Sequence, residues 1–282
     1  MKVNKQIGQM ALTAAISAIL VLATFAFAQP NLVPATVTKA KEPVPVTIPA
    51  NAVEVADGVF DLGTVKINGK VVQGFAFVDY KKGFAKPPWA GGGGGTTTST
   101  CFSVFAKGAK WKTTEQYVLD TTNIDGMGNS FVATTIDTSL NTWDNEVAFD
   151  VFGTRNTTAT VDGADTASPD NKNEIFFGDI DSPGAIAVTI VWGIFAGPPS
   201  GRELVEYDMV FDDIDFDFGD ATLNSSRMDL QNIATHEDGH ALGLTHPADE
   251  CTEETMFRFA STGETKKRTL NAGDIAGVDS LY

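Results

Sequence analysis

His236-Glu237-Asp238-Gly239-His240-Ala241-Leu242-Gly243-Leu244-Thr245-His246 holds all three histidines of the 282-residue chain. Positions i and i+4 of a helix lie on one face, about 6 Å apart along the axis, so His236 and His240 present two imidazoles to one point. That arrangement suits two ligands of a tetrahedral zinc. Glu237, one residue on, can reach a water on the same metal. Gly243 admits the left-handed backbone that ends a helix and turns the chain, which lets His246 return as a third ligand. Three ligands leave one position open, the mark of a catalytic rather than a structural zinc. A bare H-E-x-x-H is a common pattern, but a glycine and a third histidine at fixed offsets make it restrictive. A core helix whose histidines are merely hydrogen-bonded would give no reason for this spacing.

The extended motif resembles the signature of the metzincin metalloproteases. Metzincins also carry a methionine turn beneath the zinc, and Met256, in Glu254-Thr255-Met256-Phe257, stands ten residues after His246. The closing stretch Leu270-Asn271-Ala272-Gly273-Asp274-Ile275-Ala276-Gly277-Val278-Asp279-Ser280-Leu281-Tyr282 is similar to the last helix of the matrixin branch. The resemblance implies an α+β fold: a mixed twisted sheet, a zinc-binding helix, a methionine turn and a C-terminal helix. It also implies that Asp274 supports the methionine turn, against the plainer reading of a solvated acid in a helix's first turn. Ile186, Ala187 and Val188 align with the matrixin edge strand, whose backbone pairs with an extended substrate. Asp208 and Asp212, in a D-x-x-F-D segment, resemble a region that contributes to calcium and structural-zinc sites. The histidines of that second zinc fall on Val188 and Val210 here, so a histidine-based structural zinc is excluded and calcium stays open.

The chain departs from the family pattern in places. Asp238 stands at a usually apolar position, Pro247 follows the third histidine, and Gly273 replaces an acid that often precedes the one at Asp274. Met256 lies slightly farther from His246 than in many members, and the insert contains Cys251. Arg258 and Phe259 are the nearest candidates for walls of a specificity pocket.

Residues 1–28 read as a secretory signal: Lys2 and Lys5 give a basic start, Met10 to Phe27 form an uncharged apolar run, and Ala26-Phe27-Ala28 supplies small residues before Gln29. An uncleaved anchor is the competing reading, since about 18 apolar residues can just span a bilayer. The net charge of −16 becomes −18 without the two signal lysines, which disfavours nucleic acid and anionic lipid as partners. The only two cysteines, Cys101 and Cys251, most simply form one disulfide in an exported chain. The competing reading of Cys101 is a zinc-blocking thiolate of the kind that keeps many matrixins latent, although the family's inhibitory motif is absent.

Residues 29–100 are a prosegment or a spacer ending in a Gly/Thr linker at 91–100. Within it, Gly58 to Ile67, Asn68-Gly69 and Lys70-Val71-Val72 read as a hairpin with a two-residue turn. From Cys101 onward, roughly 180 residues suffice for one domain, here matrixin-like over 101–282. Tyr117–Asp120, Ala148–Phe152, Glu174–Phe177, Ile186–Trp192 and Tyr207–Phe211 are predicted strands. Phe131, Val132, Ile136, Leu140 and Trp143 share a helical stripe capped by Asn129 or Ser130. The histidine helix is predicted to run from Ser225 or Ser226 to Leu242. The expected activity is hydrolysis of peptide bonds in a protein or peptide substrate, with zinc on His236, His240 and His246 and Glu237 as general base. The alternative is a non-catalytic secreted metal-binding or adhesion protein on the same fold; a zinc amidase acting on other amides is a third.

Overall fold

The computed structural model describes residues 45–83 and 101–282. The expected signal at 1–28 and the linker at 91–100 lie outside the described residues. In chain order the elements are β1 (Val53–Ala56), β2 (Val59–Ile67), β3 (Lys70–Lys81), β4 (Ser103–Val104), β5 (Glu115–Leu119), α1 (Asn129–Asp144), β6 (Phe152–Arg155), β7 (Asn173–Gly178) and β8 (Ala185–Ile194). There follow β9 (Glu203–Asp212), β10 (Phe218–Gly219), β11 (Met228–Asp229), α2 (Leu230–Ala241), β12 (Leu244–Thr245), β13 (Phe259–Ala260) and α3 (Ala272–Asp279).

The main sheet runs β1-β2-β3-β8-β9-β7-β5-β6, with β13 paired to β3. Strands β1 to β3, β8 and β9 are antiparallel to their neighbours, whereas β9, β7, β5 and β6 run parallel. The sheet is therefore mixed, and the α+β class expected from the sequence is the class observed. The β2–β3 turn is the predicted one: Asn68 and Gly69 both have positive φ, 49° and 81°, as a two-residue hairpin turn matching the strand twist requires.

The hairpin is not a separate appendage. β3 extends well past the predicted Val72 and pairs with β8 from Gln73↔Gly193 to Tyr80↔Ala185. Strand alternation sends Phe75 and Phe77 into the large core beneath the helices, and Ala76 and Val78 into a smaller core on the other face. Ile186, Ala187 and Val188, expected at a sheet edge, are consequently interior: β8 has β9 on one side and β3 on the other. In this structure they are not at an edge, because β3 takes the place beside β8: its continuous apolar run Phe75-Ala76-Phe77-Val78 is buried on both faces, as an inner strand of a sheet is.

Two helices differ from their expected limits. α1 starts after Gly128 rather than at a side-chain cap, and Phe131 is 36% exposed while Val132, Ile136, Leu140 and Trp143 face the core. α2 begins at Leu230 because Met228–Asp229 pair with Phe218–Gly219. Its cap is the buried Asp229, which accepts from Asn232 N (2.9 Å) and is gripped by the Arg268 guanidinium. α1 and α2 pack on each other, locked by Trp143 Nε1 donating to Thr235 O at 2.7 Å. Cys101 and Cys251 are disulfide-bonded, with Cα atoms 5.5 Å apart. Closing that 150-residue separation stabilises by about 5 kcal/mol on the chain-entropy account. Both thiols are spent, so the zinc-blocking reading of Cys101 falls.

Candidate metal centre

α2 carries His236 and His240 on one face, and the chain then turns at Gly243, whose φ is +99°. That turn brings His246 back against them: His246 Nε2 lies 3.3 Å from His236 Nε2 and 3.1 Å from His240 Nε2. On the two helix histidines the other ring nitrogen is committed. His236 Nδ1 donates to Thr255 O (2.5 Å) and His240 Nδ1 to Leu244 O (3.0 Å). With Nδ1 carrying the proton, Nε2 presents a bare lone pair to the centre of the group. Burial lowers His236 to about 3 and also lowers His246, so both rings stay neutral, the form that binds metal.

A fourth group joins them that sequence reasoning did not find. Asp79, on β3, places Oδ1 2.9 Å from His236 Nε2 and 2.9 Å from His246 Nε2, and Oδ2 3.4 Å from His240 Nε2. Donors about 2.0–2.1 Å from a tetrahedral zinc are separated by about 3.3–3.4 Å from one another. The spacings here, from 2.9 to 3.4 Å, fit a zinc-sized centre. Without a cation, several lone pairs and a carboxylate would converge on one buried point, which is electrostatically costly.

One sequence signal does mark Asp79. Phe75, Phe77 and Asp79 alternate along one face of the strand, so a single carboxylate ends an otherwise aromatic row aimed at the core. Phe77 itself stacks on His240, ring centroids 4.5 Å apart. Asp79 pairs with Ala187 and Tyr80 with Ala185, leaving Ile186 as the extra residue of a bulge at this position. Bulges re-aim side chains, and they occur beside sites for that reason.

Glu237 is fully buried, with Oε2 accepting from Thr189 Oγ1 at 2.6 Å and Oε1 without a partner. Burial, then the neighbouring Asp79 charge, pushes its carboxyl well above the ordinary range. Asp238, at a position usually apolar in the family, is also fully buried, and burial raises its carboxyl well above the ordinary range. Lys267, 1% exposed, donates through Nζ to Phe257 O and comes within 3.3 Å of His236 Nδ1; burial lowers it to about 8.

Met256 lies under α2. A Cβ on Gly239 would stand 2.2 Å from Met256 Sδ and 2.8 Å from the Trp143 ring, so the glycine inside the motif is what lets the methionine approach. Asp274 accepts from Thr255 N (2.7 Å), Met256 N (3.0 Å) and Asn271 N (2.9 Å). It is fully buried, not a solvated acid. Gly273 has its own reason: the Cys101 carbonyl oxygen passes 2.1 Å from where a Cβ would be.

Asp208 and Asp212 do not converge on a common point. Asp208 accepts from Asp165 N and Glu174 N, and Asp212 from Ile180 N, Ile214 N and Asp215 N. Each anchors loop backbone with the oxygens a cation would need. Asp165, Asp170 and Glu206 form an acidic group elsewhere, with one oxygen of each within 4.8 Å of the others. Arg258 is engaged by Asp57 and Asp249, and Phe259 opens β13. A cavity of about 430 Å³ beside His246 is bounded by Ala56, Asp57, Asp249 and Arg258. A larger one, about 870 Å³, is lined by Thr114, Asp137, Asn141 and Arg155 and includes none of the histidines.

The family model described as Matrixin matches residues 110–282. Three curated proteins of Arabidopsis thaliana are similar over shorter stretches. Metalloendoproteinase 2-MMP is 36% identical over 88 residues, 30% of this chain and 21% of that protein. Metalloendoproteinase 1-MMP is 42% identical over 55 residues, 20% and 14%. Metalloendoproteinase 4-MMP is 38% identical over 69 residues, 24% and 18%. These matches span about a fifth of the relatives' length or less.

Proposed function

The chain belongs to the matrixin family, and from that premise we propose that it is an exported zinc-dependent metalloendopeptidase. His236, His240 and His246 are the proposed ligands and Glu237 the proposed general base. The observation that carries the reading is the convergence of Nε2 atoms at 3.1 and 3.3 Å while His236 and His240 spend Nδ1 on carbonyls. Zinc at that centre supplies polarisation of the scissile carbonyl and a water acidic enough to lose its proton near neutral pH. Glu237 takes that proton and delivers it to the leaving amine. Thr189 holds one oxygen of Glu237 and leaves the other free for this exchange. Met256 forms the floor under the histidines, and Asp274 keeps the turn that carries it.

A second reading is favoured by one observation. Four protein ligands describe a closed, structural zinc site, and Asp79 completes such a set. On that reading the protein binds metal without catalysis. Zinc content and hydrolysis of an unfolded protein, measured for wild type and Glu237→Ala before and after limited proteolysis, separate the two. One zinc in each and hydrolysis by wild type alone support the peptidase. One zinc in each and hydrolysis by neither, cut or uncut, supports the closed binding site.

A further inference from the structure

Resting on the peptidase reading, we infer that the chain supplies its own occupant of the substrate groove: β3 lies across the histidines as an extended peptide, and Asp79 takes the metal position that the attacking water needs.

The main-chain bonding of β3 over the histidines is complete on both sides. Toward β8 it is antiparallel, with Val78 opposite Val188, Asp79 opposite Ala187, and Lys81 N donating to Gly184 O at 3.0 Å. Toward β13 it is parallel, with Tyr80 opposite Phe259, Lys81 opposite Ala260, and Lys82 N donating to Ala260 O at 3.0 Å. β8 and β13 thus clamp one strand between them, directly above the metal centre. An extended substrate binds by adding a strand to such an edge, and here both edges are already used. A second peptide has no backbone to pair with until β3 leaves.

Asp79 sits at the centre of that clamp. Its carboxylate faces the Nε2 atoms of all three histidines, its side chain is only 7% exposed, and it adjoins the Glu237 carboxyl. The water that Glu237 would deprotonate has no place while Asp79 is there. Side-chain anchors hold the strand in this register: Phe77 stacked on His240, Tyr80 Oη within 3.1 Å of Ser182 Oγ, and the Asp57–Arg258 ion pair at the foot of the hairpin. The arrangement is a latent state built from a carboxylate on a strand of the main sheet. It differs from the cysteine device considered for Cys101, since that thiol is bonded to Cys251.

The test uses the full-length chain loaded with cobalt in place of zinc, whose visible absorption reports ligand exchange without any need for activity. Wild type, Asp79→Ala and the near-isosteric Asp79→Asn are titrated with azide, a small anion that binds an open metal position, and thermal melts of all three establish that the fold is kept. The expected result is a wild-type spectrum indifferent to azide and an azide-dependent spectrum for Asp79→Ala. Equal azide responses in the two overturn the inference, as does a cobalt spectrum that neither substitution changes. In parallel, the zinc forms are assayed on an unfolded protein. Loss of an intramolecular metal ligand raises the population with an open groove, and hydrolysis should rise with it by at least about tenfold. If wild type hydrolyses as fast as Asp79→Ala, latency is overturned while the peptidase reading stands. If azide distinguishes the variants but no form hydrolyses anything, Asp79 remains a metal ligand and the peptidase reading falls.

Discussion

Asp274 touches none of the histidines, yet its removal should weaken metal binding. Its two oxygens receive the buried N–H groups of Thr255 and Met256 and the half-buried N–H of Asn271. In Asp274→Ala all three donors lose their acceptor, and a buried unpaired donor costs about 1–3 kcal/mol. Three such donors sum to about 3–9 kcal/mol, and since the turn can relax and admit water the loss should fall in the lower part, roughly 3–6 kcal/mol. Asp274→Asn keeps one carbonyl oxygen but turns an amide N–H₂ toward a backbone N–H, and should lose about 1–3 kcal/mol. The damage then travels one residue. Thr255 O is the acceptor that holds the His236 ring and its tautomer, and loss of such a partner typically weakens metal affinity about 10–100-fold. Urea denaturation of the apo forms gives the stability order wild type, Asn, Ala. Competition with a chromophoric chelator gives zinc affinity. A stability loss below about 1 kcal/mol in Asp274→Ala would refute the hydrogen-bond count. A large stability loss with unchanged zinc affinity would refute the link from the turn to His236.

Three shorter predictions follow from other contacts. Gly239→Ala drives a methyl group into Met256 Sδ and should cost about 1–3 kcal/mol in thermal or urea unfolding; Gly201→Ala, where a Cβ would meet nothing within 4 Å, is the control for a general glycine effect. Thr189→Val removes the hydroxyl that fixes Glu237 without changing side-chain size, and should lower kcat of the opened enzyme by about 10-fold or more with zinc content unchanged at one per chain. Asp144 is buried and raised to about 6, so the folded state holds its proton more tightly than the unfolded state does. Its contribution therefore favours folding below about pH 4 and is lost as pH rises toward 6. Asp144→Asn should consequently look better relative to wild type at pH 7 than at pH 4, by about 1–3 kcal/mol in denaturant midpoints converted to free energy; an equal difference at both pH values would refute the assignment.

The histidine site was readable because its information is local. Helical spacing, a glycine stop and a returning histidine all lie within one short stretch, and backbone geometry converts that spacing into convergence. The hairpin was readable for a similar reason, since Asn68-Gly69 sets its turn and register. What β3 pairs with was not readable, because strand partners carry no mark of one another and β8 lies more than a hundred residues downstream. Asp79 could be seen to end an aromatic row, but not to face the histidines, because that depends on β3 lying beside β8. The start of α2 was misplaced because Ser225 and Ser226 offer the chemistry of a cap, while the actual cap, Asp229, is set by pairing with Phe218–Gly219 and by Arg268. Phe131 was misassigned to the buried stripe because two adjacent apolar residues cannot share a helix face, and Val132 took the inward place.

The position of β3 also bears on how the molecule is made. β2 and β3 close through a two-residue turn, so they form early and locally, on the microsecond scale typical of hairpins. β8 arrives later as Ala-Ile-Ala-Val-Thr-Ile-Val-Trp, an uncharged, β-branched sequence that is buried throughout. With the hairpin present, that strand meets a template of fixed register. A chain from which the hairpin has been removed would have to fold with the same strand as an unguarded apolar border, the surface most prone to pair with another copy. Within the sheet, the N-terminal hairpin thus guards β8 as well as facing the histidines, and a chain deprived of it would have to refold with that border uncovered.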